Sequence, residues 1–386
     1  MRTSVVVLIL CVLSVTSCSF FKSIMGTNTV MLDELEVVSM SVDIRKKQKT
    51  ICPYERTQMA VFVTVKNPDG ENKTIDYETW QGDPGGRHND MLDFSNFAFH
   101  SEQGSFDESG YFIPAGGALA TLQNEYEIDI VLLKQPDKFS FHTSYKPDYD
   151  CMQGLAFMGE SGMSGAAGAP GRRGQNGSSG GEGPGTDGTD GGPGSPGGNG
   201  QPGRDGDSVT AWATMVKTAF YDNLMALKVK SSRGTEFYLV NPEQVVPISV
   251  AGGHGGNGGP GGSGGSGGDG GSGKPGGNGG NGGIGGVGGS GGAGGNGGTI
   301  ELAVDARFPE LRNRFQLYAE AGMGGAAGPG GSGGMGGYGA AGGNRGVSGH
   351  NGSDGQSGQP GQPGRTGVRM ADVSGEFGGI EGMELL

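Results

Sequence analysis

The 386-residue chain is short of the residues that usually carry chemistry: it has 5 His, 4 Cys and 2 Trp. The histidines are scattered. None has the spacing of a zinc ligand set, and none sits where it would serve as a nucleophile's base. Basic residues are outnumbered, 27 Lys and Arg against 40 Asp and Glu, for a formal net charge of −13. That balance excludes the footprint of nucleic-acid binding and attraction to an anionic membrane surface. No nucleic-acid partner is expected, and the acidity reads as solubility. G-x-G-x-x-G matches recur, but they follow from composition and none lies between a strand and a helix. No catalytic residue, cofactor or enzyme activity is therefore read from the chain. What it has in excess is glycine, 87 residues.

The N-terminus carries a processing signal. Met1 and Arg2 precede an apolar run at 5–15 that is too short for a stable membrane anchor. The run ends in Val15-Thr16-Ser17-Cys18, which resembles the lipobox of bacterial lipoproteins. The resemblance implies a signal peptide at 1–17, a lipidated (palmitate-bearing) Cys18 and a tether at 18–33. Ser19 follows where an aspartate would favour the inner membrane, so the implied location is the bacterial outer membrane, lipid-anchored and surface-exposed. The alternative is an ordinary cleaved signal peptide. With Cys11 removed and Cys18 acylated, only Cys52 and Cys151 remain. In an oxidising compartment these two are expected to pair; a metal-binding cysteine pair is the weaker reading.

Residues 34–155 read as an ordinary globular domain. The run QMAVFVTV at 58–65 is β-branched and apolar, and it meets the turn sequence NPDG. Tyr126, Ile128, Ile130 and Leu132 alternate with Glu127, Asp129 and Val131. Period two predicts an antiparallel, sandwich-like all-β domain, with no convincing helix. One loop, 83–108, gathers Asp83, His88, Asp90, Asp93, Asp107 and Glu108. It is a candidate metal loop, although its spacing matches no EF-hand. The alternative is a solvated loop, and no metal site is assigned.

The glycines recur every third residue in three blocks, 159–208, 252–299 and 322–369. The first and third are mainly Gly-X-Y, the second nearly all Gly-Gly-X. Between them lie β spacers at 209–251 and 300–321, with a tail at 370–386. Period three implies an extended threefold helix rising about 3.1 Å per residue. A 48-residue block would run about 150 Å as one rod, further than a 22-residue spacer can return, so an intramolecular collagen helix fails. Each block is interrupted near its middle: at Pro184, at Lys274 and Pro275, and at Ala340. These are candidate hairpin turns, dividing each block into two arms about 75 Å long. The predicted fold is an all-β N-terminal sandwich-like domain plus a polyglycine-II bundle of about six antiparallel arms on a small β base. The second block and 322–339 are expected at its middle, with the spacer strands pairing in one sheet.

The blocks resemble those of polyglycine-II bundle proteins, such as snow flea antifreeze protein and the glycine-rich tips of phage tail-fibre adhesins. With the lipobox, the chain also resembles bacterial glycine-rich, collagen-like-repeat surface lipoproteins. These resemblances imply a non-enzymatic cell-surface lipoprotein, structural or adhesive. Its expected partners are the membrane, through the lipid, and a surface glycan or protein ligand; the oligomeric state is not read. The candidate contact column is Asn257, Ser263, Asp269, Asn278, Asn281, Asn296 and Thr299, at the non-glycine position of successive triplets. Three alternatives stay open: a collagen-like trimeric fibre or matrix protein, an ice-binding protein, and a metal-binding or enzymatic β-domain with glycine-rich tethers.

Overall fold

The computed structural model describes residues 29–68, 73–81 and 90–386. The signal peptide, Cys18, most of the tether, Asp83 and His88 lie outside the described residues.

The N-terminal module is built from two sheets. In the first, β1 (Val37–Ile44) pairs antiparallel with the central strand β3 (Thr57–Lys66). On its other side β3 carries β4 (Thr74–Glu78) and β7 (Tyr111–Pro114), and β7 carries β6 (Gly104–Phe106). The second sheet runs β2 (Thr50–Ile51), β9 (Ser140–Pro147), β8 (Tyr126–Leu132), β5 (Phe97–His100). Alternation decides what is buried. Met59, Val61, Val63 and Val65 of β3 share one core with Tyr126, Ile128, Ile130 and Leu132 of β8, while Phe62 stays on the solvent face.

Cys52, just after β2, is disulfide-bonded to Cys151, just after β9. The bond closes a separation of 99 residues; a loop of that order contributes roughly 4–5 kcal/mol by restricting the unfolded chain. Tyr54 extends the connection to the next part of the molecule. Its hydroxyl donates to the Leu239 carbonyl at 2.9 Å and accepts from the Leu239 N–H at 2.7 Å.

The base of the glycine blocks is a second pair of sheets. The strands that lead into the three blocks, β10 (Leu155–Ala156), β14 (Val246–Ser249) and β16 (Phe315–Tyr318), form one parallel sheet. Those that lead out, β11 (Ser208–Lys217), β15 (Thr299–Asp305) and β17 (Arg365–Ala371), pair in parallel within a six-stranded sheet. β12 (Leu224–Ser231), β13 (Gly234–Val240) and β18 (Glu384–Leu385) complete that sheet. Leu155, Phe157, Ile248 and Val250 from the inbound side pack with Val209, Ala211, Ile300 and Leu302 from the outbound side.

The glycine arms continue these two sheets as two layers. Arms 1 (159–180), 3 (252–272) and 5 (322–340) form the inbound layer; arms 2 (185–206), 4 (276–298) and 6 (343–364) form the outbound layer. Within a layer neighbours run parallel, and one glycine N–H per triplet donates to the next arm. Gly162 reaches His254 O at 2.7 Å, Gly255 reaches Met323 O at 2.8 Å, and Gly194 reaches Ile284 O at 2.9 Å. Between layers neighbours run antiparallel, as in Gly256 to Gln201 O and Gly283 to Gly265 O, both 2.8 Å. Arms 3 and 4 each bond to four neighbours, arms 2 and 5 to three, arms 1 and 6 to two. The second block is thus innermost, whereas 322–339 is no more central than 185–206.

This arrangement corrects the fold class expected from sequence. The regular secondary structure is sheet, several sheets in all, and all-β is right for that part. The six glycine arms contain neither helix nor strand, so the expected class of a polyglycine-II bundle is not retained. The arms are not uniformly antiparallel, and the base is not small or a single sheet: it has a three-stranded and a six-stranded sheet. The physical reason is that the arms are extensions of the base strands. Strand order and direction set each arm's neighbours.

Glycine is required by contact distance. A Cβ on Gly283 would lie 2.0 Å from the Gly192 carbonyl oxygen. We expect Gly283→Ala to cost about 3 kcal/mol or more in denaturant unfolding. Ile284→Ala, at the adjacent exposed position, should stay within about 0.5 kcal/mol. Equal effects would show that the arms are not in contact.

In the outbound sheet Asp305 is buried and accepts from the Thr214 hydroxyl at 2.6 Å and from Arg307 at 2.7 Å. Burial by itself raises its pKa, but the Arg307 and Thr214 hydrogen bonds outweigh it and bring it down to about 2. The depressed pKa makes Asp305 a stabilising group above its unfolded value of about 3.9. That contribution should disappear as pH falls from about 4 to about 2, and Asp305→Asn should flatten this limb in melts across the range. An unchanged limb would refute the role.

Candidate functional site

The non-glycine residues of the arms form columns on the two outer faces. On the inbound face arm 3 shows His254, Asn257, Ser263 and Asp269, and arm 5 shows Met323, Met335 and Tyr338, the last three each about two-thirds exposed. On the outbound face arm 4 shows Asn278, Asn281, Ile284, Val287 and Asn296. Thr299 lies at the foot of that arm, where it begins β15.

Most of the predicted contact column has a second task. The outward N–H of a column residue cannot reach another arm's backbone, and a side chain of the adjacent arm accepts it instead. Asp187, Asp190, Asn199 and Asp205 of arm 2 accept from the N–H groups of Asn278, Asn281, Ser290 and Asn296, at 2.6–2.9 Å and a constant separation of 91 residues. In turn Asn278, Asn281 and Asn296 accept from the N–H groups of Asn344, Val347 and Gln362 at 2.8 Å. On the inbound face His254 Nδ1, Asn257 Oδ1 and Asp269 Oδ1 accept from Met323, Ala326 and Tyr338. Bonds to ionised carboxylates are the stronger members of this set. These clamps hold neighbouring arms in register. Sequence reasoning placed the column on the surface but missed the clamping; the signal was Asn or Asp at an offset fixed for each pair of arms, 91, 66 or 69 residues. Ser263 makes no side-chain bond of this kind.

The clamps lapse beside Pro202 and Ala293 near the base, and at two successive rungs of the outbound face at mid-length. Pro193 and Pro196 stand there on arm 2 and Ile284 and Val287 on arm 4, the latter pair 56% and 49% exposed. The face is thus polar and cross-braced at both ends and apolar at mid-length.

The chain reverses beside the predicted turn residues: at 181–183 next to Pro184, at 273–275 including Lys274 and Pro275, and at 341–342 next to Ala340. Lys274 Nζ lies 3.2 Å from Glu182, tying the first two turns together. The 83–108 acidic residues that are described do not converge. Asp93 caps a 3₁₀ turn through the Ser95 N–H, and Asp107 accepts from Ser109, Tyr111 and Arg56. Among the described residues no three His, Cys, Asp or Glu side chains group as metal ligands, and no helix is long and apolar enough to cross a membrane.

Chemically, the array offers two ruled faces with side chains at regular three-residue intervals along each arm. No family model, curated protein or solved structure matches the chain.

If Asn281 is a clamp, Asn281→Ala should accelerate hydrogen exchange at the Val347 amide while costing only about 0.5–1 kcal/mol, because the freed N–H returns to water. Ser263→Ala should leave exchange unaltered. Unchanged protection of Val347 would refute the clamp.

Proposed function

We infer that the protein is a non-enzymatic surface lipoprotein of a bacterial outer membrane, held by Cys18 and serving as a stiff display or adhesive element. The observation that carries this reading is the spending of backbone polar groups within the array. In arms 2, 3 and 4 one glycine N–H of each triplet binds a parallel neighbour and a second backbone N–H binds an antiparallel one, and side chains clamp many of the remaining outward ones. An array tied in this way supports load and presents side chains at fixed spacing. It uses its polar groups for scaffolding. The intrachain pairing of all six arms also favours a single-chain scaffold over a collagen-like trimer. The disulfide and the Tyr54–Leu239 contact couple the module nearest the tether to the base, so that force on the arms is passed toward the anchor.

The test is fractionation with palmitate labelling in a Gram-negative host. Wild-type protein should be labelled, found in the outer-membrane fraction and degraded by protease added to intact cells. Cys18→Ala should be unlabelled and soluble. Retention of Cys18→Ala in the membrane, or protection of the wild type from external protease, would overturn the reading.

A further inference from the structure

The solvent face of the first sheet holds a concavity that the array does not use. Its volume is about 500 Å³, within the range of about 300–1,000 Å³ usual for small-ligand sites. Its floor is set by strand register. Phe62 sits in the middle of β3, directly opposite Ser41 on β1 and Glu78 on β4. One step along the same face, Thr64 is opposite Ser39 and Asp76. Side chains at these positions stand about 5 Å apart across strands. The result is an aromatic ring, 40% exposed, framed by three hydroxyls and two carboxylates. Leaving a phenylalanine at the centre of a solvent-facing sheet forgoes part of its burial energy, and among the described residues none covers its ring fully.

The chemistry of the frame selects the occupant. Asp76 already accepts from the Thr64 hydroxyl at 2.7 Å, and Glu78 has Arg45 at 3.9 Å. The two carboxylates therefore do not form a bare anionic cage of the kind a free cation requires. They retain acceptor lone pairs, and Ser39 and Ser41 add groups that both donate and accept. Phe62 has an apolar face and no polar edge. The complement is a molecule with one flat C–H face and a rim of neutral hydroxyl donors.

We propose that the concavity over Phe62, framed by Ser39, Ser41, Thr64, Asp76 and Glu78, binds a neutral pyranose unit of a glycan. The ring's C–H face lies on Phe62 and its hydroxyls donate to Asp76 and Glu78. The assignment deepens the adhesive part of the function proposed above by giving the adhesion a ligand class. It places that ligand on the module nearest the tether, away from the arms.

The experiment uses the full chain on an array of neutral oligosaccharides covering gluco-, manno-, galacto- and N-acetylhexosamine units. Titration with the strongest ligand follows. Retention of at least one neutral glycan is expected, with affinity weakened about tenfold or more in Phe62→Ala and clearly lowered in Glu78→Gln. Ser41→Trp, which fills the concavity without removing the ring, should also abolish binding, and it decides the matter if Phe62→Ala fails to fold. Lys230→Ala, at an exposed position of β12, should bind as wild type. No glycan retained, or equal affinity in Ser41→Trp and wild type, overturns the proposal. Binding of tetramethylammonium that depends on Phe62, with no glycan retained, overturns it in favour of a cation site. Surface anchoring through Cys18 is read by fractionation and stands or falls separately.

Discussion

The structure depends on backbone hydrogen bonds made at a distance that admits no Cβ. At the base, inbound and outbound sheets are held apart by Phe157, Val209, Ile248, Ile300 and their neighbours, the ordinary way to fill the space between two sheets. Beyond 158 the side chains stop and the layers close on each other. A methyl group on nearly any interior glycine would meet a carbonyl oxygen at about 2 Å. Glycine pays the largest conformational entropy of any residue, and the segment has little apolar surface to offset that cost. The compensating term is the number of hydrogen bonds per residue, together with a base that holds the arms in place.

The share of glycine in each arm tracks its number of neighbours. Arms 3 and 4, with four neighbours each, are Gly-Gly-X almost throughout. Arms 1 and 6, with two, are Gly-X-Y, and their side chains cover the two open edges of the array. Those edges are blocked in the same way that charged or bulky side chains protect the edge strand of a sheet.

Much of this was legible in the sequence, for identifiable reasons. The β-branched apolar run at 58–65 and the alternation at 126–132 located β3 and β8, because one face of each packs on a core. Faults in the period of three at Pro184, Lys274–Pro275 and Ala340 marked where the chain reverses. The flanking strands were visible as short alternating runs, among them Ile300, Leu302 and Val304. Which arm lies beside which was not legible. The period tells which positions are bare, but every bare face is alike, so direction and neighbour come from the order of the base strands. The single-sheet base and the uniformly antiparallel arms failed on that point. The clamps of Asp187, Asn278 and their relatives were hidden because a surface asparagine reads as solvation until its partner is known. Phe62 was hidden because MAVFV at 59–63 is continuously apolar, and only register with Ser41 and Glu78 shows which face is wet.

The order of the arms in space repeats their order along the chain. Arm 2 touches arm 1, arm 3 touches both, arm 4 touches 2 and 3, and so on to arm 6, with no arm waiting between two that are made later. Growth from the N-terminus is therefore vectorial. Each new hairpin adds to an edge already present, as a row adds to a knitted fabric, and nothing built earlier has to open. A chain emerging N-terminus first during synthesis can lay down its scaffold at the rate it appears. Until arm 6 arrives, the advancing edge is bare glycine backbone with unmet donors and acceptors, so the same design that makes assembly orderly makes an unfinished chain adhesive toward its own copies.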